Sequence, residues 1–456
     1  MKRILRKIIP MPFWQFYHWF LAHLAAFVYG YPSNKMIIVG ITGTAGKSTV
    51  ANLIYQILEE AGYKVGLTTT FNFKIAGHEK INKKKMTMLG RFSLQRLLRQ
   101  MLDVGCQYAI IETTSQGVRQ YRHLGINYDI GVFTNLSPEH IESHGSFEKY
   151  REAKQEFFRH ISKSKRKIID NKIIKKTNIV NLDDSNREYF LKFNIDKKYG
   201  YTLENSKSEI LNPKQYQNSP PEADPPWAEK LEIIKAENIE LTGRGSKFTI
   251  NKLDFKINLL GEFNIYNSLS AICAVLSQGI GLKICAKALK KVKDIPGRME
   301  VVVDNPFTVI VDYAHTPDSL KKVYETIKNS QSPIPNPQLI CVLGSAGGGR
   351  DKQKRPVLGA LAEKYCDKII VTNEDPYNEN PAEIINQIIF GIKSKKFRKI
   401  VDRKDAIKKA LSIAQKGDTV IITGKGCEPW IMGARGEKIP WDDRKIVREY
   451  LVDLKL

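Results

Sequence analysis

The chain has 456 residues, 42% of them hydrophobic and 26% charged, close to the averages of soluble globular proteins, which excludes a disordered or collagen-like polymer. At about 150 residues per domain it has room for roughly three domains. Seventy-two Lys and Arg against 48 Asp and Glu leave a net charge of +24, a surplus that suits an anionic partner (nucleotide, nucleic acid or lipid headgroup) and equally a merely basic surface.

Residues 1–35 stand apart. Lys2, Arg3, Arg6 and Lys7 precede an uncharged stretch over 8–34 that carries Phe13, Trp14, Phe16, Tyr17, Trp19 and Phe20. Residues 13–29 reach only the short limit of a membrane-spanning helix. A basic flank and an aromatic belt fit a helix lying at a membrane surface; a helix packed on the domain behind it fits as well. A signal peptide fits in outline, without a clear small-residue cleavage site.

A buried strand is predicted over 35–40, then a glycine-containing loop, then an amphipathic helix through 61. Further buried strands fall over 104–112 and 130–134. Strands alternating with helices imply an α/β domain with a parallel sheet. Residues 159–176 hold eight Lys or Arg against one Asp and read as a solvated helix and loop face, without the interleaved aromatics that single-stranded nucleic acid stacks on. Pro220, Pro221, Pro225 and Pro226 mark an irregular surface insertion over 217–227. After Pro296-Gly297 a second α/β pattern starts, with strands over 308–311, 339–343, 368–372 and 419–423. It reads as a Rossmann-like, doubly wound C-terminal domain beginning near 298. The six cysteines are scattered and form no CxxC pair, as expected of reduced cytosolic thiols.

The loop Gly43-Thr44-Ala45-Gly46-Lys47-Ser48-Thr49 sits between the first strand and its helix. Its glycines let backbone N–H groups cradle phosphates, Lys47 neutralises terminal phosphate oxygens, and the Ser48 hydroxyl suits Mg2+. Strict P-loop spacing asks for glycine at 41, where this chain has Ile41. Glu112 ends a buried strand, a costly place for a carboxylate without a task.

This variant loop is the form found in Mur ligases, and later segments agree. Residues 133–140 (Phe-Thr-Asn-Leu-Ser-Pro-Glu-His), then Ser143-His144-Gly145 and Tyr150-Arg151-Glu152-Ala153-Lys154, resemble that family's central signature. Leu260-Gly261-Glu262-Phe263-Asn264 with Asn267 resembles its nucleotide-contact helix. Gly297-Arg298-Met299-Glu300 and Asp312-Tyr313-Ala314-His315 resemble the start of its C-terminal domain. The resemblance runs from about residue 36 to the end, and is greatest to the branch that adds the third residue of the cell-wall stem peptide. Its implied layout is an N-terminal aromatic helix over 1–35, a P-loop central ATP-binding domain over 36–297 and a C-terminal domain over 298–456.

The resemblance implies a cytoplasmic, ATP- and Mg2+-dependent amide ligase that phosphorylates an acceptor carboxylate and couples it to an amino acid. The acceptor would be a UDP-N-acetylmuramoyl-peptide or a related compound; nucleic acid is not an expected partner. Residues 43–49, Asn135, Asn264, Asn267, Arg298, Asp312 and Tyr313 fall on nucleotide positions. Ser48, Glu112, His140 and Lys154, the last if carbamylated, fall on metal positions, and Lys47, Glu112, His140 and Lys154 on catalytic ones. Ser115 and Arg122 match acceptor contacts. Arg350, Glu374, Asp375, Gly424 and Glu428 match the amino-acid side.

Three departures stand out. Only about 35 residues precede the P-loop, where the family has an N-terminal domain that grips the uridine nucleotide; an acceptor held by a lipid at the inner face of the membrane would suit the aromatic helix. A Thr-Thr-Pro substrate loop is replaced by Met86-Thr87-Met88-Leu89-Gly90-Arg91, in which Arg91 could meet an anionic substrate. The Asp-Asn-Pro-Arg of diaminopimelate enzymes is replaced by Glu374-Asp375-Pro376-Tyr377, and tyrosine supplies no bidentate cation for a distal carboxylate. The added acid, Asp375, would favour a distal amine such as lysine's, while Arg435 or Lys438 could stand in for the missing arginine. Alternatives from the same sequence are another ligase of this superfamily acting on a polyglutamate, folate-like or lipid-linked acceptor, and a non-catalytic membrane-associated ATP-binding subunit.

Overall fold

The computed structural model describes residues 11–84, 86–138, 144–203, 231–329, 336–394 and 397–453. The proline-rich segment over 217–227 and His140 lie outside them. The chain divides into two compact units. The first comprises Met1–Ile239, Phe248–Lys256 and Phe263–Lys291; the second comprises Glu240–Lys247, Ile257–Glu262 and Val292–Leu456.

The first unit opens with helix α1 (Met11–Val28). Strand β1 (Ile37–Thr42) feeds helix α2 (Lys47–Glu60), and β2 (Val65–Thr68) follows. Helix α3 (Arg91–Asp103), β3 (Tyr108–Glu112), the short helix α4 (Ser115–Arg119) and β4 (Ile130–Phe133) come next. Helix α5 (Phe147–Lys163), β5 (Thr177–Asn181), β6 (Lys197–Leu203), α6 (Phe263–Leu276) and α7 (Leu282–Lys291) complete the frame. The strands belong to an eleven-stranded sheet whose middle runs β6-β5-β4-β1-β3-β2, every neighbouring pair parallel. β1, β3 and β4 are fully buried, as strands covered on both faces must be. β1 runs two residues beyond the predicted end. Ile41, at the missing glycine position, is a buried strand residue opposite Glu112, so the loop turns only after Thr42.

Four of these strands carry an interior glycine, and each is a close approach; a Cβ on Gly66 of β2 would overlap Met101. A Cβ on Gly40 of β1 would overlap the rings of Phe157 and Tyr128. One on Gly131 of β4 would overlap Ile161, and one on Gly200 of β6 would overlap Leu182. Phe157 and Ile161 belong to α5, so that helix lies directly against the backbone of β1 and β4.

α1 packs on α3 and turns its alanines inward. Ala22, Ala25 and Ala26 are buried, while Phe13, Phe16 and Phe27 are 67%, 63% and 67% exposed. The Ala22 carbonyl and the Ala26 methyl close on Gly125, where a Cβ would clash, and His18 stacks near Tyr121. Among the described residues no helix is long and apolar enough to cross a membrane.

One expectation needs correction. Residues 159–176 are not solely a solvated face. Lys167 and Lys176 are buried and both ion-pair with Asp129. Burial pulls the Lys167 ammonium down to about 8 despite the carboxylate beside it. Lys167 also donates to Met36 O and Lys176 to Tyr128 O, so these cations pin the entries of β1 and β4.

In the second unit, β7 (Glu300–Val303), β8 (Thr308–Val311), α8 (Pro317–Asn329), β9 (Leu339–Leu343), α9 (Lys354–Tyr365), β10 (Lys368–Val371), β11 (Phe397–Lys399), α10 (Arg403–Ser412) and β12 (Thr419–Ile422) alternate as predicted. The sheet order is β7-β8-β12-β9-β10-β11. All pairs are parallel except the β7–β8 edge. All six cysteines are buried and unbridged.

Candidate active site

The phosphate loop leaves β1 at Thr42 and enters α2 at Lys47, and its shape depends on two glycines with positive φ, Gly43 (152°) and Gly46 (84°). A side chain at Gly43 would overlap Thr134, and one at Gly46 would overlap Asn267 of α6. Asn267 in turn donates to Asn264 Oδ1 at 2.8 Å. Both asparagines therefore back the loop, and the predicted nucleotide helix is brought to it.

Asn135 braces the loop from the other side. Its Oδ1 accepts from Ala45 N at 2.9 Å, its Nδ2 donates to Ala45 O at 3.2 Å, and its carbonyl accepts from Thr44 N at 2.9 Å. This residue, expected at the nucleotide, holds Ala45 in place by hydrogen bonds. Thr44 Oγ1 lies 3.1 Å from the hydroxyl of Tyr150, a residue the sequence reading gave no role. Ser48 and Thr49 are buried in the first turn of α2.

Two ammonium groups meet one carbonyl. Lys47 Nζ donates to Gly43 O at 3.0 Å and to Thr44 O at 2.8 Å. Lys154, 1% exposed on α5, donates to the same Gly43 O at 2.8 Å and lies over the Tyr150 ring. The two cations thus sit within about 6 Å of each other, a strong field for phosphate oxygens in a partly dry loop.

Glu112 lies at the end of β3, 2% exposed. It accepts from Ser48 Oγ at 2.8 Å, from Thr70 N at 2.9 Å and from Thr70 Oγ1. The burial cost of its charge is offset by these donors. The serine hydroxyl and the carboxylate form an oxygen-only set that fits a hard cation such as Mg2+. Among the described residues no group of three or more His, Cys, Asp or Glu is gathered for a metal ion; His140 is not among them. Thr70, which links Glu112 to Thr87 at 2.9 Å, escaped sequence reading because its partner is 42 residues away.

On the acceptor side, Ser115 Oγ lies 3.1 Å from His144 Nε2. Arg122 bonds Met88 O and Gln120 Oε1, and Arg91 bonds Gln120 O. The substituted loop over 86–91 is therefore joined to Arg122.

In the second unit the predicted amino-acid residues gather around the ends of β10 and β12. Glu374 is 4% exposed, and Gly424 (φ 101°) is packed so that a Cβ would strike the Glu374 carboxylate. Burial, with Asp375 adjacent, raises the Glu374 carboxyl above its ordinary range. Lys425 is fully buried and bridges Asp375 at 2.8 Å and Glu428 at 2.6 Å. Asp375 also accepts from Met432 N at 2.8 Å. Asp375, expected to offer a charge to a distal substrate amine, shares the single cation of Lys425 with Glu428, a lysine that sequence reading passed over. Arg350 is exposed, beside Tyr313 and Tyr377. Asp312 is buried, and its two oxygens accept from Met299 N at 2.7 Å and Ala314 N at 2.6 Å. It holds the turn that carries Arg298 over the Tyr313 ring, and a ribose hydroxyl would share oxygens already engaged.

Arg403 was also missed. Fully buried, it forms a two-point pair with Asp443, Nε at 2.9 Å and Nη2 at 2.7 Å, and donates to Asn373 O and Thr423 O. Those carbonyls immediately precede Glu374 and Gly424.

The family described as Mur ligase middle domain matches residues 41–275, and that described as Mur ligase, glutamate ligase domain matches 297–426. A UDP-N-acetylmuramoyl-L-alanyl-D-glutamate–2,6-diaminopimelate ligase of Clostridium tetani is 33% identical over 95% of this chain and 81% of its own length. A UDP-N-acetylmuramyl-tripeptide synthetase of a Roseiflexus species is 35% identical over 95% of this chain and 82% of its own. A solved structure of a UDP-N-acetylmuramoyl-L-alanyl-D-glutamate–2,6-diaminopimelate ligase superposes with a TM-score of 0.58 at 27% identity, over 92% of this chain and 79% of that one. With both units matched in order and this identity along nearly its whole length, the chain belongs to the Mur ligase family.

Proposed function

We propose that this ATP- and Mg2+-dependent, ADP-forming amide ligase adds an amino acid to the terminal carboxylate of a UDP-N-acetylmuramoyl-peptide, or a close relative of one, in peptidoglycan precursor synthesis. The observation that carries the reading is the convergence of Lys47 and Lys154 on Gly43 O beside the Ser48–Glu112 pair.

In this reading an acceptor carboxylate oxygen attacks the terminal phosphorus of ATP, the bond to the bridging oxygen breaks, and ADP leaves. The donor's neutral amine then attacks the acyl carbon, inorganic phosphate leaves with the electron pair of the C–O bond, and the proton shed by the amine nitrogen passes to that phosphate or to water. The chain's own work is positioning and charge neutralisation. The loop N–H groups and Lys47 hold the transferring phosphate, and Lys154 faces the same oxygens. Ser48 and Glu112, with His140 by resemblance, would hold Mg2+, which when bound neutralises charge on the terminal phosphates. Asn264, Asn267, Arg298, Asp312 and Tyr313 are assigned to the nucleotide. Arg350, Glu374, Gly424 and Glu428 are assigned to the amino acid. Tyr377 offers no guanidinium fork for a distal carboxylate, a place that Arg435 or Lys438 could take, and the amino acid is read by the scan that follows.

Phosphate release with Mg-ATP and UDP-N-acetylmuramoyl-Ala-Glu, scanned across amino acids with mass detection of product, tests the reading. Release that needs both the acceptor and one amino acid is expected. Protein that binds ATP and stays silent with every amino acid would overturn this acceptor assignment.

A second reading concerns location. The outward face of α1 is aromatic and follows four basic residues in sequence, which suits the surface of an anionic bilayer at the cytoplasmic side. The full chain is expected to sediment with phosphatidylglycerol vesicles, and the Phe13→Ser/Phe16→Ser variant to remain largely in solution. Equal partition of the two would remove this reading.

A further inference from the structure

The basic run over 159–176 contains a hairpin whose faces are the wrong way round for a protein surface in water. Its strands, Lys167–Ile169 and Lys172–Ile174, pair antiparallel. Asp170 and Asn171 join them, both with positive φ (49° and 60°), as a tight two-residue hairpin turn requires. The register sets Lys167 opposite Ile174 and Ile168 opposite Ile173. Opposed residues share a face, and successive residues alternate between faces. One face therefore carries Lys167 and Ile174, both buried, and the other carries Ile168 and Ile173, 72% and 64% exposed.

A hairpin turned over would bury the two isoleucines and leave the lysine in water. The observed orientation is held by Lys167, which ion-pairs with Asp129 and donates to Met36 O at 2.8 Å. A buried ion pair thus keeps the apolar pair outside.

The charges nearby select a partner. Over 163–175 the only acid is Asp170, at the turn, against Lys163, Lys165, Arg166, Lys167, Lys172 and Lys175. Lys167 is paired with Asp129, and Arg166 with Asp196. Lys163, Lys165, Lys172 and Lys175 are exposed and flank the isoleucines along the chain. Aliphatic tips flanked by ammonium groups suit the headgroup layer of an anionic bilayer. They suit single-stranded nucleic acid poorly, since residues 163–175 hold no aromatic ring for a base to stack on.

The hairpin also adjoins α1. Asn127 donates from Nδ2 to Lys165 O and to Asn34 Oδ1, and from its backbone N–H to Ser33 Oγ. The base of the hairpin and the turn that follows α1 share this one support. Phe27 and Val28, at the end of α1, are exposed as well.

We propose that Ile168 and Ile173 form a second membrane contact beside α1, entering the headgroup layer of an anionic bilayer while the four exposed lysines meet its phosphates. The inference rests on the location reading made for α1 and extends it: two anchors on one support fix which side of the first unit faces the lipid.

Sedimentation with phosphatidylglycerol and with phosphatidylcholine vesicles tests it, using the full chain, Phe13→Ser/Phe16→Ser and Ile168→Ser/Ile173→Ser. A nitrobenzoxadiazole label on Ile168→Cys gives a second readout, the native cysteines being buried. Ile168→Ser/Ile173→Ser is expected to weaken binding to phosphatidylglycerol about tenfold with an unchanged melting temperature, because both side chains are exposed. Binding is expected to fall with added salt and to be weaker on phosphatidylcholine, and the label to shift to the blue on phosphatidylglycerol. Should the serine variant melt lower, the label decides. Wild-type binding by Ile168→Ser/Ile173→Ser together with a silent label would overturn the proposal, and would leave the α1 reading standing if Phe13→Ser/Phe16→Ser is impaired. A label that shifts while Phe13→Ser/Phe16→Ser binds like the wild type would remove the α1 reading and keep the hairpin as a contact. Equal binding to both lipids, or none by the full chain, would overturn the proposal. So would a label already shielded without vesicles, or shielded only as the protein is concentrated, since this chain or a second copy would then cover the pair.

Discussion

Lys154→Ala is expected to lower ligase turnover by about a hundredfold to a thousandfold, the loss typical of one preorganised electrostatic group at a reacting centre, while leaving an ATP-binding fold. The side chain is 1% exposed and spans from α5 to Gly43 O, so its charge sits at the loop proposed to hold the phosphoryl group. Lys47→Ala should differ in kind. Lys47 folds over its own loop, and its removal should raise the KM for ATP as well as lower kcat. The chemical state of Lys154 is separately readable. If it works as a carbamate, stripping dissolved carbon dioxide lowers wild-type activity and a short carboxylic acid partly restores Lys154→Ala; if it works as an ammonium, neither treatment matters. Turnover of Lys154→Ala within threefold of wild type would remove the residue from the mechanism.

The second large effect concerns stability. Asp443→Ala strands the Arg403 guanidinium in the interior of the second unit, where the pair is 1% and 0% exposed. Breaking such a pair costs about 3–5 kcal/mol, which for a unit of this size lowers its melting transition by about 6–20 °C. Replacing both partners with apolar residues should recover part of the loss, because an apolar pair of similar volume is often neutral. Recovery should be incomplete: Asn373 O and Thr423 O would lose their donor, at about 1–3 kcal/mol for each buried group left unsatisfied. Differential scanning calorimetry of the three variants checks the order. A wild-type melting curve for Asp443→Ala would show that the buried charges are not what holds these strand ends. Because those carbonyls sit next to Glu374 and Gly424, amino-acid affinity should fall with stability.

Much of the fold was legible because its signals are local. Buried apolar runs with intervening amphipathic segments gave both parallel sheets, and the loop over 43–49 identified itself between strand and helix. What stayed hidden is what depends on partners far along the chain. Nothing local to Asp375 marks its pairing with Lys425, 50 residues on. Asn135, expected at the nucleotide, also braces Ala45, 90 residues away. The basic run over 159–176 looked solvated, because nothing in its composition marks Lys167 and Lys176 as the two that meet Asp129. In α1 the conspicuous aromatics drew attention, yet the alanines between them make the contact with the body.

The mid-strand glycines of β1 and β4 carry a consequence for catalysis. Lys154 and Phe157 are three positions apart on α5 and share a helix face. The depth at which Phe157 settles over Gly40 therefore sets how far the Lys154 ammonium extends toward the loop. A single methyl on the sheet would act like a shim under a lever, lifting the helix and withdrawing the amine while leaving the sequence of the loop unchanged. Core spacing and chemical reach are here one tolerance, held where two hydrogen atoms stand in for side chains.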